Sequence, residues 1–599
     1  MTFDPYSVVL RSVVGGQFGA CPKPEEPISA SFVEQQCFVV GQSFPKGKQT
    51  DGAGVSTDLL AETFEVVEDR GVGLVGDGAL DERERRLVIG AANYHALVRR
   101  GATLRLTVVR ALHLGYPSLT DERCLHIGWT QDRESVGSVV VRSLVAPEAG
   151  APAPSGTQDL VIDVGGKPVV QNSYQQLNGP IGKAKKLVRS RVPFQYDHLR
   201  QLRTDVVERR MRSVQLPRRL PVAGNTNYHR AATTARPAIL FGLHWLELGG
   251  AERWALDCIQ LAKEAGFVPI VITDRESAHP WITRPEFDDT VIIPITHPIK
   301  LGTDSALFGG LFAAFDIRGI HVHHNTWLYD RLSWVKSVWP DVPVVDSQHV
   351  LEWRTGGFVD HAVQVSAMID QHHVISPQLR DYLIHRQSIP AHKVVLATLA
   401  NATTAGITPD APEAEAKSTP FTVTYIGRFH QQKRPQVFLK LAAELKKSSP
   451  VPVRFIVQGD GELADEVHAL RGRLGLTDVL EVRAADHPVK DTLAESDVLV
   501  VTSENEGLTL TTFEATAAGI PVLSADVGSQ ASVVPDGLLC PRHPYAFVRQ
   551  AAEKIRTMMS SPEQRKRWFE EQAAKNEAFA KLPKASAWAT ELYQGWMKQ

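Results

Sequence analysis

The sequence predicts an α/β protein: two successive Rossmann-like units from about residue 238 onward, preceded by a β-rich, sandwich-like accessory region. Three observations carry this reading. After residue 238 short apolar runs alternate with longer amphipathic ones, the signature of strands and helices in a parallel sheet. Before residue 178 short β-branched runs alternate apolar with polar residues and are broken by Gly, Pro and Asp, the period of half-buried strands. The chain is 599 residues long, and at roughly 100–200 residues per domain it has room for about three or four domains.

Composition narrows the functional classes. Apolar residues make up 43% and charged residues 22%, the balance of a soluble globular protein. The 65 Lys+Arg nearly cancel the 67 Asp+Glu, so there is no global electrostatic case for nucleic-acid binding. No apolar run approaches the length of a membrane span. Cys21, Cys37, Cys124, Cys258 and Cys540 are widely separated, with no C-x-x-C pair, which suits a reducing cytoplasm rather than a disulfide framework or a zinc site. The opening MTFDPYSVVL has neither a basic nor an apolar leader segment, so no signal peptide is expected and the expected location is cytoplasmic.

Residues 1–178 contain the runs SVVLRSVV, ASFVEQQCFVV, TFEVVE, ATLRLTVVRAL, SVVVRSLV and DLVIDV, each read as a strand. This region shows no catalytic constellation, and His95, His113 and His126 read as ordinary strand or loop residues. Its role stays open between binding an acceptor polysaccharide, oligomerisation and bracing the later units. Residues 179–236 form a basic helical segment and linker. From Lys183 to Arg219 many cations face only Asp197, Asp205 and Glu208, and Leu199, Leu202, Val206 and Met211 are spaced for one helical face. Two readings stay open: peripheral contact with an anionic membrane, or a helix packing those residues on a neighbour. The first Rossmann-like lobe is placed at 237–402, a linker at 403–420, the second lobe at 421–575 and a C-terminal helix returning to the first lobe at 576–599.

The motifs sit where ligands bind in such sheets, outside the carboxyl ends of strands. Gly249 and Gly250 fall between the first strand of the first lobe and its helix, where exposed amides can approach a phosphate or polar ligand. Asp274 ends the next strand and mimics the acid of a dinucleotide site, but the third glycine of G-x-G-x-x-G is missing, which weakens a nicotinamide reading. In YIGRFHQQKRP, Arg428 follows a strand and Lys433 stands at the mouth of the next helix, two cations able to hold a diphosphate. In SENEGLTLTTFEATAAGIPV, Glu506 lies in a loop after a strand and Glu514 on the helix that follows; a carboxylate there can accept both hydroxyls of a ribose. His321, His323 and His324 cluster at one strand end, and with no carboxylate or cysteine pattern beside them they are read as cleft lining or structure, so no metal site is assigned.

Taken in order, GGAE, GRxxxxK, GDGE, the Glu506-Gly507-Leu508 turn leading to Glu514, AAGIPV and the turn at Gly528 resemble the retaining glycosyltransferases of family 4, over roughly residues 238–599. The region before is unmatched. The resemblance implies the GT-B architecture, two Rossmann-like lobes around a cleft, and a retaining hexosyltransferase acting on a nucleotide-diphosphate sugar and a glycan or lipid-linked acceptor, in cell-envelope or capsular polysaccharide synthesis. It implies catalytic roles for His349, beside the donor sugar, for Glu506 and for Arg428 and Lys433 on the diphosphate. It implies substrate-binding roles for Gly249, Gly250, Gly507, Leu508 and, at the ribose, Glu514. No D-x-D occurs, and no cofactor or metal is expected. Three positions depart from the family pattern: Thr509 where proline is frequent, Arg434 where glycine is common, and Ser532 where an acid is frequent. The rival readings are a non-catalytic sugar- or nucleotide-binding scaffold and another GT-B enzyme such as a nucleotide-sugar epimerase.

Overall fold

The computed structural model describes residues 63–399 and 420–599, apart from 75–76, 113–115, 121–132, 148–153, 166–187, 190, 213–214, 221–234, 248, 296–302 and 352–356. The first two strand-like runs, His113, His126, Cys21, Cys37, Cys124, Lys183, Lys185, Lys186 and nearly all of the 403–420 linker lie outside the described residues.

Among the described residues the accessory region holds one four-stranded sheet, with β1 (Phe64–Arg70), β2 (Thr103–Ala111), β3 (Arg133–Ser143) and β4 (Thr157–Asp163) in the order β1-β3-β2-β4. Strand β3 runs antiparallel to both neighbours, and β2 and β4 are parallel. The sandwich expectation is corrected here: the layer over this sheet is a helix, α1 (Glu82–Val98), entered through a capping box between Asp81 and Glu84. Its apolar face is built largely from small residues, Leu87, Val88, Ala91, Ala92 and Ala96, and Gly90 interrupts it, so its helical period is muted in the sequence. Gly90 is required by proximity, since a Cβ there would lie 2.7 Å from Cδ of Pro294 in the first lobe. Leu104, Leu106, Val139 and Val141 of this sheet share one apolar core with Ile239, Phe241 and Trp254 of the first lobe. The accessory sheet is thereby fused to that lobe.

The first lobe is a seven-stranded parallel sheet in the order β11-β10-β9-β8-β5-β6-β7. Its strands are β5 (Pro237–Leu243), β6 (Val268–Thr273), β7 (Val291–Pro294), β8 (Asp316–His323), β9 (Val344–Gln348), β10 (Gln371–Val374) and β11 (Val394–Leu396). Their continuous Val, Ile, Leu and Phe runs are buried on both faces, as layered parallel strands demand. Helices α2 (Pro193–Arg212), α3 (Gly250–Glu264), α4 (Thr303–Ala314) and α5 (Thr326–Val338) precede or cover this sheet. The order in which strands are added reverses between β5 and β8, which opens a crevice beyond their carboxyl ends.

The second lobe repeats the plan with six parallel strands in the order β14-β13-β12-β15-β16-β17. These are β12 (Phe421–Ile426), β13 (Val453–Gln458), β14 (Leu480–Arg483), β15 (Val498–Val501), β16 (Val522–Ala525) and β17 (Leu539–Cys540). Helices α6 (Pro435–Ser448), α7 (Leu510–Ala517), α8 (Pro544–Ser560) and α9 (Pro562–Ala580) surround it. The reversal falls between β12 and β15, so the loops carrying Arg428 with Lys433 and Glu504 with Glu506 flank one crevice. The last helix, α10 (Ala585–Met597), crosses to the first lobe, where Trp596 packs against Gly319 and the Tyr593 hydroxyl lies 2.7 Å from His321 Nδ1.

Helix α2 has the basic character read from the sequence, and, of the two readings left open, packing of its apolar stripe on a neighbour is not met. Phe194, Asp197, Gln201 and Thr204 are buried against the second lobe, whereas Leu199, Leu202 and Val206 are 66%, 44% and 67% exposed. Ion pairs decide the orientation: Arg434 Nε donates to Asp197 at 2.7 Å and Arg200 donates to Glu504. Beyond α2, Arg218 donates to the carbonyls of Val363 and Gln387, and Arg219 bonds Asp330 at 2.7 Å, so the basic segment straps both lobes. Among the described residues no helix is long and apolar enough to cross a membrane.

Candidate functional site

The carboxyl ends of both sheets converge on one cleft of about 650 Å³. Its first-lobe wall includes His349, just past β9, and the stretch from Asp381 to Arg386; its second-lobe wall includes Glu504, Glu506, Gly507, Gly528 and Arg542. Contact between the walls is intimate. A Cβ on Gly507 would run into the carbonyl oxygen of His349. Gln378 Nε2 donates to Ser532 Oγ at 2.8 Å, so this departure from the family pattern sits at a lobe-to-lobe bond. Leu508 is partly buried against the apolar clusters of both lobes.

Lys433 and Glu506 meet. Lys433 Nζ donates to the two carboxylate oxygens at 2.7 and 2.9 Å. Adjacency of β12 and β15 at the reversal brings their loops together. Arg428 is exposed on the same edge and acts electrostatically on Glu247 in the first lobe. Burial raises the Glu247 carboxyl above its ordinary value, against a bond from Ser277 Oγ at 2.6 Å and the nearby positive charge.

Gly249 caps α3, and Gly250 begins it with open space on its side-chain side. The Glu252 side chain folds back over Gly249, into the volume a Cβ would need, and lies 2.9 Å from His244 Nε2. Burial works to raise the Glu252 carboxyl, but the His244 hydrogen bond and neighbouring charge more than offset it. Glu514, on α7, is raised above its ordinary value by burial, and Arg253 of α3 pulls the other way. The GGAER turn and the second acid of the Glu506/Glu514 pair thus face one another across the lobes.

Burial holds the His349 imidazole well below its ordinary value, and the surrounding His324 and His373 rings add to this, leaving it neutral. Its Nε2 has no hydrogen-bond partner. A neutral ring with a spare nitrogen at a cleft wall can serve a sugar hydroxyl as donor or acceptor. Asp274 is used structurally, accepting from Thr326 Oγ1 at 2.8 Å and Trp327 N at 2.9 Å at the start of α5.

Cys258, His321 and His323 come within 4.8 Å of one another through their ligand atoms, so the cysteine that the sequence did not link to this histidine cluster is Cys258. Both ring nitrogens of His321 are engaged, with Tyr593 at 2.7 Å and Ser347 at 2.9 Å, and the group does not line the cleft.

Sequence reasoning passed over His244, Glu247, Glu252, Arg253, Arg542 and the wall from Asp381 to Arg386. Glu252 and Arg253 stood inside the quoted GGAER motif and could have been found. The wall is carried by a π-turn, Tyr382–Arg386, which has no sequence signature.

Fold and cleft define the class: two Rossmann-like lobes in the GT-B arrangement, with a charged ligand crevice between their strand ends. Residues 408–575 match the family model described as glycosyl transferases group 1, so the glycosyltransferase resemblance is met in the second lobe. The chain is 26% identical over 275 residues to a D-inositol 3-phosphate glycosyltransferase of Corynebacterium aurimucosum, covering 40% of this chain and 64% of that protein. A Streptomyces bingchenggensis protein of the same name is 34% identical over 140 residues, covering 21% of this chain and 31% of its own. Among solved structures, a glycosyltransferase from Rickettsia africae is 15% identical, with a TM-score of 0.45, covering 61% of this chain and 100% of that one. Anabaena Alr3699/HepE in complex with UDP is 17% identical, with a TM-score of 0.45, covering 60% of this chain and 99% of that one.

Proposed function

We propose that this protein transfers a hexose from a nucleotide-diphosphate sugar to a glycan or lipid-linked acceptor, with retention at the anomeric carbon, in the synthesis of cell-envelope polysaccharide. The observation that carries this reading is the ion pair of Lys433 with Glu506, whose acid lines the cleft together with His349. The group 1 match over the second lobe supports it.

In this reading the donor diphosphate takes Lys433 away from Glu506 and draws Arg428 in from the cleft edge. The bond from the anomeric carbon to the diphosphate oxygen breaks, and its electron pair leaves with the diphosphate. Arg428, Lys433 and the amides at the start of α7 stabilise that charge in place of a divalent ion. The acceptor oxygen bonds to the same face of the carbon, and its proton passes to the departing phosphate oxygen. Glu514 holds the ribose hydroxyls, and neutral His349 contacts the sugar.

The test is a panel of nucleotide sugars screened by thermal shift in chelator, since a ligand of the folded state raises its apparent stability. Hits then go to transfer assays with lipid-linked and soluble acceptors, including D-inositol 3-phosphate, the compound in the relatives' name. The expected result is one nucleotide class raising the midpoint, and a product whose anomeric configuration, read by NMR, equals the donor's. No shift with any nucleotide sugar sinks the reading; donor hydrolysis without transfer points instead to an epimerase-like enzyme.

A further inference from the structure

Helix α2 wears its apolar residues on the outside. Val192, just before it, is 40% exposed, and Leu199, Leu202 and Val206 are 66%, 44% and 67% exposed. At about 100° per residue these positions fall in one outward stripe, and Arg203 is exposed in the same arc. The opposite face is polar and spent on the protein, through Asp197 to Arg434 and Thr204 Oγ1 to Glu504 at 3.3 Å. Ordinary surface helices have the reverse polarity.

The acids are turned away from this stripe. Asp197 is buried in its ion pair, and Asp205 accepts from Gln201 Nε2 at 2.6 Å and lies 3.7 Å from Arg542. Among the described side chains the outward stripe of α2 carries cations and no carboxylate. Beside it on α8, Tyr545 is 46% exposed, with its ring packed on His198 at 4.9 Å, and Arg549 is exposed one turn on. An apolar stripe flanked by arginines, with an aromatic ring at its rim, matches a surface that is apolar below and anionic above.

We infer that the outward face of α2 seats the protein on an anionic lipid surface. The inner face of the same helix bonds Glu504, a cleft residue, so the docking face and the cleft lie on opposite sides of one helix. The inference stands on the exposed stripe and uses no residue assigned to catalysis.

The experiment is co-sedimentation of the full chain with phosphatidylcholine vesicles, with and without phosphatidylglycerol, at low and high salt, with sedimentation velocity run in parallel. Binding is expected only with the anionic lipid, weakening as salt rises. Leu199→Glu, Leu202→Glu and Val206→Glu combined should lower partitioning by about tenfold or more, and Arg203→Gln and Arg549→Gln by about fivefold per cation. Because these side chains face solvent, nucleotide-sugar affinity and the unfolding midpoint should hold, which separates failure here from failure of the catalytic reading. Absence of wild-type binding to anionic vesicles at low salt overturns the inference, as does undiminished binding by the triple variant. So does a wild-type dimer that the triple variant dissociates without vesicle binding, which would make the stripe a seam between copies.

Discussion

Lys433 grips both carboxylate oxygens of Glu506, at 2.7 and 2.9 Å, so the cation assigned to the diphosphate and the acid assigned to the sugar side form one ion pair. The lysine side chain is 28% exposed and the glutamate 6%, so the pair is screened on one side only. Under the proposed function an incoming diphosphate competes with Glu506 for the lysine, which couples donor binding to release of the acid.

Lys433→Ala therefore has two separable effects. Turnover should fall about 10²–10³-fold, the loss expected for one electrostatic contact to developing charge. Stability should drop by about 1–3 kcal/mol, because Glu506 is left buried without its charged partner. Adding Glu506→Gln should restore most of the stability and none of the turnover, read by urea unfolding and initial rates. Full turnover in Lys433→Ala removes the lysine from the diphosphate site.

Arg434 holds a left-handed backbone, at φ 55°, and its side chain leaves the cleft for Asp197, with both side chains almost fully buried. Arg434→Ala removes the shorter of the two cation contacts of Asp197, leaving Arg200 at 3.4 Å, and should cost about 1–3 kcal/mol. Arg434→Gly loses the same pair but relieves the backbone, so it should be milder by about 1 kcal/mol. Equal losses in urea unfolding would show that the left-handed turn stores no strain. In both variants proteolysis within 193–212 should accelerate.

Gly507→Ala tests the seam between lobes. The new methyl meets the His349 carbonyl, so closure must relax by a fraction of an ångström or more while each sheet keeps its own core. A loss of about 10²-fold in turnover is expected, the usual effect of a small misplacement. X-ray scattering should report a larger radius of gyration with circular dichroism unchanged; unaltered turnover would mean the closed seam is not the working form.

Glu514 supplies a pH dependence. Its folded-state carboxyl is raised above the ordinary 4.5, mainly by burial, so the folded protein binds that proton more tightly than the unfolded chain does. Its contribution to stability is thus greatest below the unfolded value and is lost as pH rises through the folded value. At neutral pH, Glu514→Gln should be slightly more stable than the parent, by roughly 1–2 °C in unfolding midpoint. Donor binding has the opposite sense, because only the ionised carboxylate accepts both ribose hydroxyls. Calorimetric affinity should weaken on acidification sooner than for a solvent-exposed glutamate, and Arg253→Ala should shift that loss to higher pH. A flat affinity between pH 5 and 8 in that variant would detach Glu514 from the ribose.

Legibility followed the locality of the signal. Uninterrupted runs such as AILFGL and PIVIT mark strands buried on both faces, and the residues after them mark strand ends, so both lobes were readable, and of the candidate residues His349, Glu506 and Gly507 line the cleft. Helix α1 was missed because Gly90 and its alanines blunt the helical period, yet that smallness is what lets it press against Pro294. The apolar stripe of α2 was found but its side was left open between membrane contact and packing on a neighbour, and the structure turns it outward. Spacing shows that Leu199, Leu202 and Val206 share a face, and cannot show that Asp197 and Arg200 have partners more than two hundred residues away.

Residue order by itself determined the strand–helix alternation and which side chains sit past strand ends, since backbone geometry and burial act over a few residues. Tertiary structure alone decided which of those side chains meet. Strand order at the sheet reversal put Lys433 against Glu506, and lobe closure put Arg253 near Glu514 and His349 against Gly507. Long-range ion pairs turned α2 inside out. Such outcomes depend on which distant surfaces bury each other, a quantity that no local pattern encodes.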